Sequence, residues 1–414
     1  MIEKRRVVIT GLGAVSPIGN TLEEIFESIK NSKCGIDNIT NFDTEDFQVK
    51  LAGEVKNLDF NQYLSRKSLK RMDKVSIFAL IAAIKAVFNS KLNLEALDKD
   101  KVGVYISSGI GGLETIENQY VRGMKNGFEK ISPFFIPMAI VNLSASHVAS
   151  HFGFNGSCMC PVTACAGSNT ALGEAFRNIK AGYHDIILAG GTEASITPLG
   201  VGGFASMKAL STSKDKNRAS IPFDKERSGF VMGEGGGVLV LEELEHALNR
   251  GAKIYGEILG YGATCDAEHI TQPNEEGTFA AKAMENAILE ADIDKNQVEY
   301  INAHGTSTPL NDKYETMAIK RLFGDGYKDI FVSSTKSMTG HLLGASGAIE
   351  AIASLLSMKE GILPANINYS IKDEECDLNI IENNYITKNI KYALSNSLGF
   401  GGHNASLLLE NWED

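Results

Sequence analysis

Positive charge is scarce in this 414-residue chain, which has 40 Lys and Arg residues against 51 Asp and Glu residues and a formal net charge of −11. An acidic surface gains nothing from meeting a polyanion, so the charge argues against general affinity for nucleic acid or for an anionic membrane. A local basic patch remains compatible with an acidic partner. Prolines number only nine and low-complexity tracts are missing, which is the composition of an ordinary globular protein.

Long hydrophobic runs are missing as well. The most apolar helical stretch, residues 75–88, contains Lys85 and is too short to cross a bilayer. The opening MIEKRRVVITG is far shorter in its apolar part than a secretory signal. Six cysteines in so long a chain, without such a signal, indicate reduced thiols. We therefore expect a cytoplasmic protein that binds neither membrane nor nucleic acid.

Short β-rich runs alternate with helical segments along the chain and predict an α/β fold with mixed sheets. The predicted strands are RRVVITG, KVGVYISSG, DIILAGG, GGGVLVLEE, VEYINAHG, IFVSSTK and NASLLLE.

One pattern occurs twice. Residues 165–182 and 344–361 each begin with small residues, continue as an apolar helix and end in Lys-x-Gly, and a glycine-rich segment with a strand closes each half. A duplicated architecture is the simplest explanation. It predicts halves at residues 1–254 and 255–414 within one compact unit. The second of the paired helices is apolar nearly all round and is expected at the centre of the protein.

Three cysteines lie close together in SCMCPVTACAGSNT, residues 157–170. Cys165 is placed at the start of the predicted helix, where free N–H groups and the helix dipole favour the thiolate and lower its pKa. A cysteine at a helix start is also compatible with a small buried hydrophobe. Cys158 and Cys160 alternate with Met159 as in a strand, and we expect them in the core.

A zinc site would need a second ligand pair at finger-like spacing. The remaining cysteines are isolated in the sequence: Cys34, Cys265 and Cys376. We therefore expect no metal.

Two histidines lie in glycine-rich loops that follow predicted strands, where α/β folds place their chemistry. His304 stands in NAHGTSTPLND and His341 in STKSMTGHLLGASG, which also holds Lys336. One loop histidine or lysine is commonly only solvated, but two histidines beside a poised cysteine indicate a catalytic group. Glu350 lies on the helix expected to be buried, where a carboxylate needs a partner.

Two glycine-rich motifs are less specific. GLGAVSPIG, from Gly11, begins like a dinucleotide fingerprint, but Ser16 replaces the third glycine and no acidic residue follows at the expected distance, so we favour a structural turn. SNSLGFGGHNAS surrounds Phe400 with glycines. Phe400 is either a gate whose backbone N–H faces an oxyanion or a core residue in a flexible connection.

Taken in order and at their intervals, TACAGS, NAHGTSTP, STKSMTGHLLGASG and NSLGFGGHNAS resemble the elongating β-ketoacyl-acyl carrier protein synthases of type II bacterial fatty acid synthesis. The resemblance runs from RRVVITGLGAVSPIG to the C-terminal LLLE. It implies a thiolase-like fold of two duplicated halves, with mixed β-sheets in an α-β-α-β-α layering. It also implies a homodimer.

The implied reaction is a decarboxylating Claisen condensation. By resemblance, Cys165 is the acylated nucleophile, and His304 and His341 complete a Cys-His-His triad that stabilises the enolate of malonyl-acyl carrier protein. Lys336 supports them electrostatically, and the backbone N–H groups of Cys165 and Phe400 hold the oxyanion. Phe400 also matches a gate for the acyl chain. No cofactor is implied, because phosphopantetheine arrives on the acyl carrier protein.

The resemblance implies further positions around this site. They are Asp312, Glu315 and Glu350 as charge partners of Lys336; Thr306 and Thr308 on the pantetheine arm; Ile110 and the neighbouring subunit's Phe135 at the acyl pocket; and Lys67, Lys70, Arg71 and Lys208 for docking the acyl carrier protein. The run SRKSLKRMDK that supplies most of the docking group is otherwise an ordinary solvated helix face.

Related carbon-carbon enzymes fit less well. A coenzyme A thiolase would carry a second catalytic cysteine near the C-terminus, and an initiating synthase an Asn in place of one histidine. A non-catalytic partner subunit, as in polyketide chain-length factors, would lack the nucleophile. A polyketide ketosynthase remains an alternative. The unusual CMCP also leaves open a disulfide of Cys158 or Cys160 with Cys165 under oxidation.

Overall fold

The computed structural model describes residues 5–413. Its strands are β1 Val7–Val15, β2 Asp37–Asn38, β3 Leu51–Ala52, β4 Val102–Ser107, β5 Cys158–Met159, β6 Ile186–Glu193, β7 Gly235–Glu243, β8 Gly256–Cys265, β9 Val298–Asn302, β10 Phe331–Ser333, β11 Ile362–Leu363, β12 Ile386–Thr387, β13 Tyr392–Gly399 and β14 His403–Asn411. All seven strands predicted from the sequence are confirmed, as β1, β4, β6, β7, β9, β10 and β14. The prediction missed the long strands β8 and β13 and the two-residue strands β2, β3, β11 and β12.

The helices alternate with these strands. They are α1 Leu22–Lys30, α2 Arg66–Leu69, α3 Lys74–Ser90, α4 Leu113–Asn126, α5 Phe135–Ala139, α6 Leu143–Phe152, α7 Gly167–Lys180, α8 Pro198–Ser206, α9 Lys216–Ala219, α10 Leu244–Asn249, α11 Thr278–Ala291, α12 Pro309–Phe323, α13 Lys336–Thr339 and α14 Ser346–Lys359. Within residues 5–413, none of them combines the length and apolarity that a membrane crossing requires.

The main sheet has ten strands in the order β10-β9-β13-β14-β8-β1-β7-β6-β4-β5. From β1 outward, the pairings β1–β7 and β7–β6 are antiparallel, and β6–β4 and β4–β5 are parallel. From β8 outward, β8–β14 and β14–β13 are antiparallel, and β13–β9 and β9–β10 are parallel. The same arrangement therefore occurs twice. The two five-stranded parts join through the short β1–β8 pairing.

Helices α7 and α14, the two paired helices of the sequence, pack against each other and against strands of both five-stranded parts. Helices α3 and α6 cover the outer face of one part, and α11 and α12 cover the other. The result is the five-layered α/β fold expected from the sequence.

Helix α14 is buried along its whole length apart from Leu356 and Lys359, which confirms the central position predicted for it. Helix α7 approaches β8 closely at Gly173, where a Cβ would lie 2.2 Å from the Tyr261 ring. Only glycine permits this contact, so the packing of the central layer depends on it.

The prediction of a core position for Cys158 and Cys160 is wrong. Cys158 is exposed and Cys160 is half-buried, because β5 forms the outer edge of the sheet and pairs only with β4 within the described chain. All six cysteines are free thiols.

Candidate active site

Cys165 lies in a tight turn between β5 and α7. The turn, Ala164–Ala166, is a single 3-10 turn, and α7 begins two residues after the cysteine at Gly167. Ala164 takes the left-handed conformation at φ 48°, which is uncommon for a residue with a Cβ. Strained backbone of this kind concentrates at functional sites. The turn holds the buried Cys165 thiol against the ends of several loops.

Burial raises the pKa of the Cys165 thiol to about 12, and the positive charge of Lys336 acts in the opposite direction. The sequence predicts a lowered pKa from the helix start. The structure gives the opposite direction because the thiol is buried among the surrounding loops and lies ahead of the first residue of α7. Desolvation therefore outweighs the helix dipole. The Cys165 thiol therefore holds its proton more tightly than a solvated cysteine does.

The backbone N–H groups of Cys165 and Phe400 lower the pKa of the Cys165 thiol, against the larger effect of burial. The close approach of the Phe400 turn to Cys165 depends on Gly399, where a Cβ would lie 2.7 Å from Thr163 O and 3.1 Å from Cys165 N. The Phe400 ring is half-buried, with its centroid 6.4 Å from that of Phe204. The glycine turn therefore lies directly against the Cys165 backbone, and its N–H groups are available to stabilise negative charge that develops beside the sulfur.

His304 and His341 are brought together from separate loops, although 37 positions separate them in the printed sequence. Their ring centroids lie 5.2 Å apart with the ring planes at 83°. The backbone N–H of His304 donates to Glu315 Oε1 at 2.8 Å, and the backbone N–H of His341 donates to Val231 O at 2.7 Å. The backbone of each histidine is therefore fixed by a contact that does not involve its own imidazole ring.

Burial, reinforced by the positive charge of Lys336, lowers the pKa of both His304 and His341 well below the ordinary value. Both imidazoles are consequently neutral at physiological pH. A neutral imidazole carries one N–H and so can donate one hydrogen bond to a developing negative charge.

Lys336 and Glu350 form a buried ion pair, with Nζ 2.5 Å from Oε1. Glu315 accepts hydrogen bonds from the backbone N–H groups of His304 and Gly305, both at 2.8 Å, and burial raises its pKa to about 7. Asp312 faces a different cation, since its Oδ2 lies 3.8 Å from Arg227 Nε. Of the three predicted carboxylates, Glu350 therefore pairs with Lys336, Asp312 lies nearer Arg227, and Glu315 is held by backbone N–H groups.

A pocket of about 400 Å³ opens beside the cysteine. The predicted residues that line it are Cys165, His304, His341, Thr306, Thr308, Phe400 and Lys208. Thr306 Oγ1 and Thr308 Oγ1 lie 2.9 Å apart on one wall. The structure therefore brings the candidate nucleophile, both histidines and the two threonines to one cavity.

The predicted residues outside the cavity lining occupy three places. Ile110 packs in the same hydrophobic cluster as Cys165. Phe135 begins α5 and is half-buried. Lys67, Lys70 and Arg71 are exposed on and just after α2, and the Arg71 guanidinium lies 4.7 Å from the Phe134 ring centroid. Lys74 from the same basic run forms an ion pair with Glu234, with Nζ 2.7 Å from Oε1.

Sequence reasoning missed two residues that shape this site. The Arg227 guanidinium donates to Thr308 O at 3.2 Å and to Pro309 O at 3.0 Å, which fixes the loop that carries the threonines. Ser346 Oγ lies 2.9 Å from His341 Nδ1. Arg227 stands in the motif FDKERSGF, which the resemblance includes, but only the fold shows which loop it holds.

Within residues 5–413, the His, Cys, Asp and Glu side chains form no group of three or more arranged to hold a metal ion. The arrangement offers a buried thiol beside the glycine turn at Phe400, and two neutral imidazoles near a buried cation. These are the parts of a site for covalent acyl transfer with stabilisation of an oxyanion or an enolate.

Comparison with known proteins gives a consistent result. Residues 4–247 match the model of the beta-ketoacyl synthase N-terminal domain and residues 255–370 that of the C-terminal domain. Over 413 residues the chain is 49% identical to 3-oxoacyl-[acyl-carrier-protein] synthase 2 of Synechocystis sp., covering 100% of this chain and 99% of the relative. It is 48% identical to the synthase of the same name from Staphylococcus aureus, covering 100% of both chains.

Solved structures agree with this. The ishigamide ketosynthase/chain length factor matches with a TM-score of 0.94 and 33% identity, covering 99% of this chain and 100% of that chain. The AntDE:AntF structure, a type II PKS acyl-carrier protein in complex with its ketosynthase, matches with a TM-score of 0.93 and 35% identity. The match covers 99% of this chain and 100% of that chain.

Proposed function

The chain belongs to the β-ketoacyl synthase family, and we propose that its pocket carries out the condensing, chain-elongating step of fatty acid synthesis. In this reaction an acyl group held on Cys165 joins malonyl-acyl carrier protein, giving β-ketoacyl-acyl carrier protein and CO2. The observation that carries the proposal is the convergence of Cys165, His304, His341 and Phe400 on one cavity.

The first step is acyl transfer to the enzyme. Cys165 Sγ attacks the thioester carbonyl of the acyl-carrier substrate, and the N–H groups of Cys165 and Phe400 hold the resulting oxyanion. The carbonyl then re-forms, the bond to the pantetheine sulfur breaks, and the proton from Cys165 passes to that sulfur. The products are acyl-Cys165 and a free carrier thiol, which is the first half of a ping-pong reaction.

The second step generates the carbon nucleophile. The malonyl carboxylate leaves as CO2, and the electron pair of the broken C–C bond passes into the thioester as an enolate. The imidazole N–H groups of His304 and His341 donate to the enolate oxygen. The buried Lys336 ammonium lowers the energy of the nearby negative charge. Because both rings are neutral, neither transfers a proton that would quench the carbanion.

The third step forms the new C–C bond. The enolate carbon attacks the acyl-Cys165 carbonyl, the same two backbone N–H groups hold the second oxyanion, and the cysteine sulfur leaves. The thiolate takes up a proton from water, so that each cycle consumes one proton, and the β-ketoacyl group departs on its carrier. No cofactor takes part in these steps, because decarboxylation itself supplies the electron pair.

Residues along the cavity have roles in delivering the substrate. Thr306 and Thr308 hydrogen-bond the pantetheine arm, and Phe400 gates the entry of the acyl chain toward Ile110. In a homodimer, Phe135 closes the far end of the neighbouring subunit's acyl pocket. The packing of Ile110 in the cluster that contains Cys165 supports the acyl-pocket assignment.

A homodimer is supported by exposed apolar side chains and by an unpaired strand edge. Tyr120 and Met124 of α4 and Ile136 of α5 are each at least 59% exposed. Strand β5 leaves one edge unpaired within residues 5–413. A second copy that covers this surface would remove both features.

The two halves of each subunit meet between residues 254 and 255. The enzyme works in the cytoplasm, on acyl carrier protein that docks at Lys67, Lys70, Arg71 and Lys208.

Intact-protein mass spectrometry tests the reaction. Wild type and Cys165→Ala are mixed separately with acyl-carrier thioesters, and malonyl-acyl carrier protein is then added. We expect wild type to gain one acyl mass, the variant to gain none, and a product two carbons longer to form. Acylation that persists without Cys165, or an acylated enzyme that never elongates, would overturn the proposal.

A further inference from the structure

We infer that Ser346 is a positioning residue that fixes His341 as the Nε2–H tautomer. This inference rests on the proposed function, because it concerns the proton that His341 offers to the enolate. The starting observation is a buried contact in which Ser346 Oγ lies 2.9 Å from His341 Nδ1. Ser346 is the first residue of α14 and is 1% exposed.

The His341 ring has little freedom apart from its tautomer. Its backbone is clamped on both sides, since its N–H donates to Val231 O and its carbonyl accepts from the Gly233 N–H at 2.8 Å. The Phe230 ring lies edge-on, with centroids 5.3 Å apart, and the His304 ring lies against another side. What remains undecided by packing is which ring nitrogen carries the proton.

Two arrangements of the contact are possible, and they differ in the number of unpaired hydrogens. If Nδ1–H donates to Ser346, the serine hydroxyl proton has no acceptor, because within residues 5–413 Ser346 Oγ makes no other hydrogen bond. If the hydroxyl donates to Nδ1, the ring lone pair and the hydroxyl proton are both satisfied. A buried unpaired donor is costly, so the second arrangement is the stable one. It leaves the ring proton on Nε2.

His304 provides a contrast within the same site. Its Nδ1 is buried and has no hydrogen-bond partner in the described chain, so no side chain fixes its tautomer in this way. The two histidines are therefore unequal. The imidazole proton of His341 is fixed on Nε2 before substrate binds. The imidazole N–H of His304 is aligned only by contacts with the bound substrate.

Ser346→Ala removes the hydroxyl and keeps a good helix former at the start of α14. Ser357→Ala is the matched control, because Ser357 is buried in the same helix and its Oγ has no hydrogen-bond partner among residues 5–413. We expect S346A to acylate Cys165 at the wild-type rate and to decarboxylate malonyl-acyl carrier protein about tenfold more slowly, a smaller loss than for deleting the histidine. S357A should match wild type in both half-reactions.

A second measurement reads the tautomer itself. NMR of the 15N-histidine-labelled enzyme, with the His341 signals assigned by comparison with His341→Asn, should show the proton on Nε2 in wild type and a mixture of tautomers in S346A. A proton on Nδ1 in wild type, or equal decarboxylation rates for S346A and wild type, would overturn the inference. A wild-type enzyme that neither acylates nor decarboxylates would instead count against the proposed function, while the tautomer measurement would still decide the role of Ser346.

Discussion

Lys336 Nζ lies 2.5 Å from Glu350 Oε1, and the two side chains are 1% and 3% exposed. The pair joins α13, which leads into the His341 loop, to the central helix α14. The positive charge of Lys336 also acts on His304, His341 and Cys165. One ion pair thus links the packing of the central layer to the electrostatics of the site.

Breaking this pair on one side should destabilise the protein strongly. Glu350→Gln leaves a buried ammonium without a counter-charge, and we expect a loss of about 3–5 kcal/mol in the free energy of unfolding. The double variant K336M/E350L removes both charges and should recover most of that loss. Equilibrium unfolding in urea measures each value.

The exposed pair Lys282–Glu285, at 2.7 Å with side chains about half exposed, is the control. Its double-mutant cycle should give about 0.2–1 kcal/mol, as for other solvated pairs. A similar small value for Lys336 and Glu350 would contradict the account of a buried pair.

The two histidines should make stability depend on pH in the acid range. In the unfolded chain each takes up a proton as pH falls through about 6.5, whereas in the folded protein burial keeps His304 and His341 neutral at that pH. Their contribution to stability is thus present above pH 6.5 and is lost as pH falls. Each histidine should make the unfolding free energy fall by up to about 1.4 kcal/mol per pH unit below 6.5.

Urea unfolding of wild type and of H304Q/H341Q between pH 5 and 7.5 measures this contribution. The double variant should show the shallower decline, since glutamine takes up no proton. Parallel curves for the two proteins would mean that the folded state binds protons at these histidines as readily as the unfolded chain.

Local patterns in the sequence predict the framework well. The seven predicted strands and both paired helices are found, because each has a clear apolar period or small-residue start. Strands β8 and β13 were missed since glycines and serines interrupt their apolar pattern, as in GEILGYGATC and YALSNSLG. Their strand character comes from the neighbours with which they pair.

The site was less predictable where several loops contribute. The helix start alone suggests a lowered Cys165 pKa, but the loops that bury the thiol reverse the direction. The contact of Ser346 with His341 and the hold of Arg227 on the threonine loop likewise depend on the assembled loops. Cys158 was assigned to the core because alternation along a strand does not reveal that the strand lies at a sheet edge.

Gly399 should be intolerant of any side chain. Gly399→Ala places a methyl group 2.7 Å from Thr163 O and 3.1 Å from Cys165 N, so the glycine turn or the nucleophile must shift. A displacement near 1 Å at a reacting group costs about a hundredfold in rate. We expect acylation of Cys165 to slow by about that factor, as measured by rapid quenching and mass spectrometry.

Gly326→Ala provides the matched control, because its added methyl would lie no closer than 3.7 Å to a neighbour, the Asn296 Oδ1 atom. It should acylate at the wild-type rate. Thermal unfolding of both variants separates a local displacement from loss of the fold. A G399A enzyme that is folded and acylates at the wild-type rate would mean that the close approach of the two turns is not needed.

Charge reversal at the end of α2 should weaken docking of the carrier protein. Lys70 and Arg71 are exposed, so an acidic partner can reach them, and opposite charge across an interface raises the rate of encounter. We expect K70E/R71E to raise KM for acyl-carrier substrates about tenfold or more at low salt. The effect should shrink as salt screens the charges.

Two comparisons isolate docking from chemistry. With a small pantetheine thioester, which has no acidic protein surface, K70E/R71E should acylate Cys165 like wild type. K328E/K388E makes the same change in net charge at lysines outside the pocket lining, and it should leave KM for the carrier substrate near the wild-type value. If the carrier KM of K70E/R71E is unchanged at low salt, the carrier protein docks elsewhere. If both double variants raise KM equally, net charge rather than a specific surface governs the encounter.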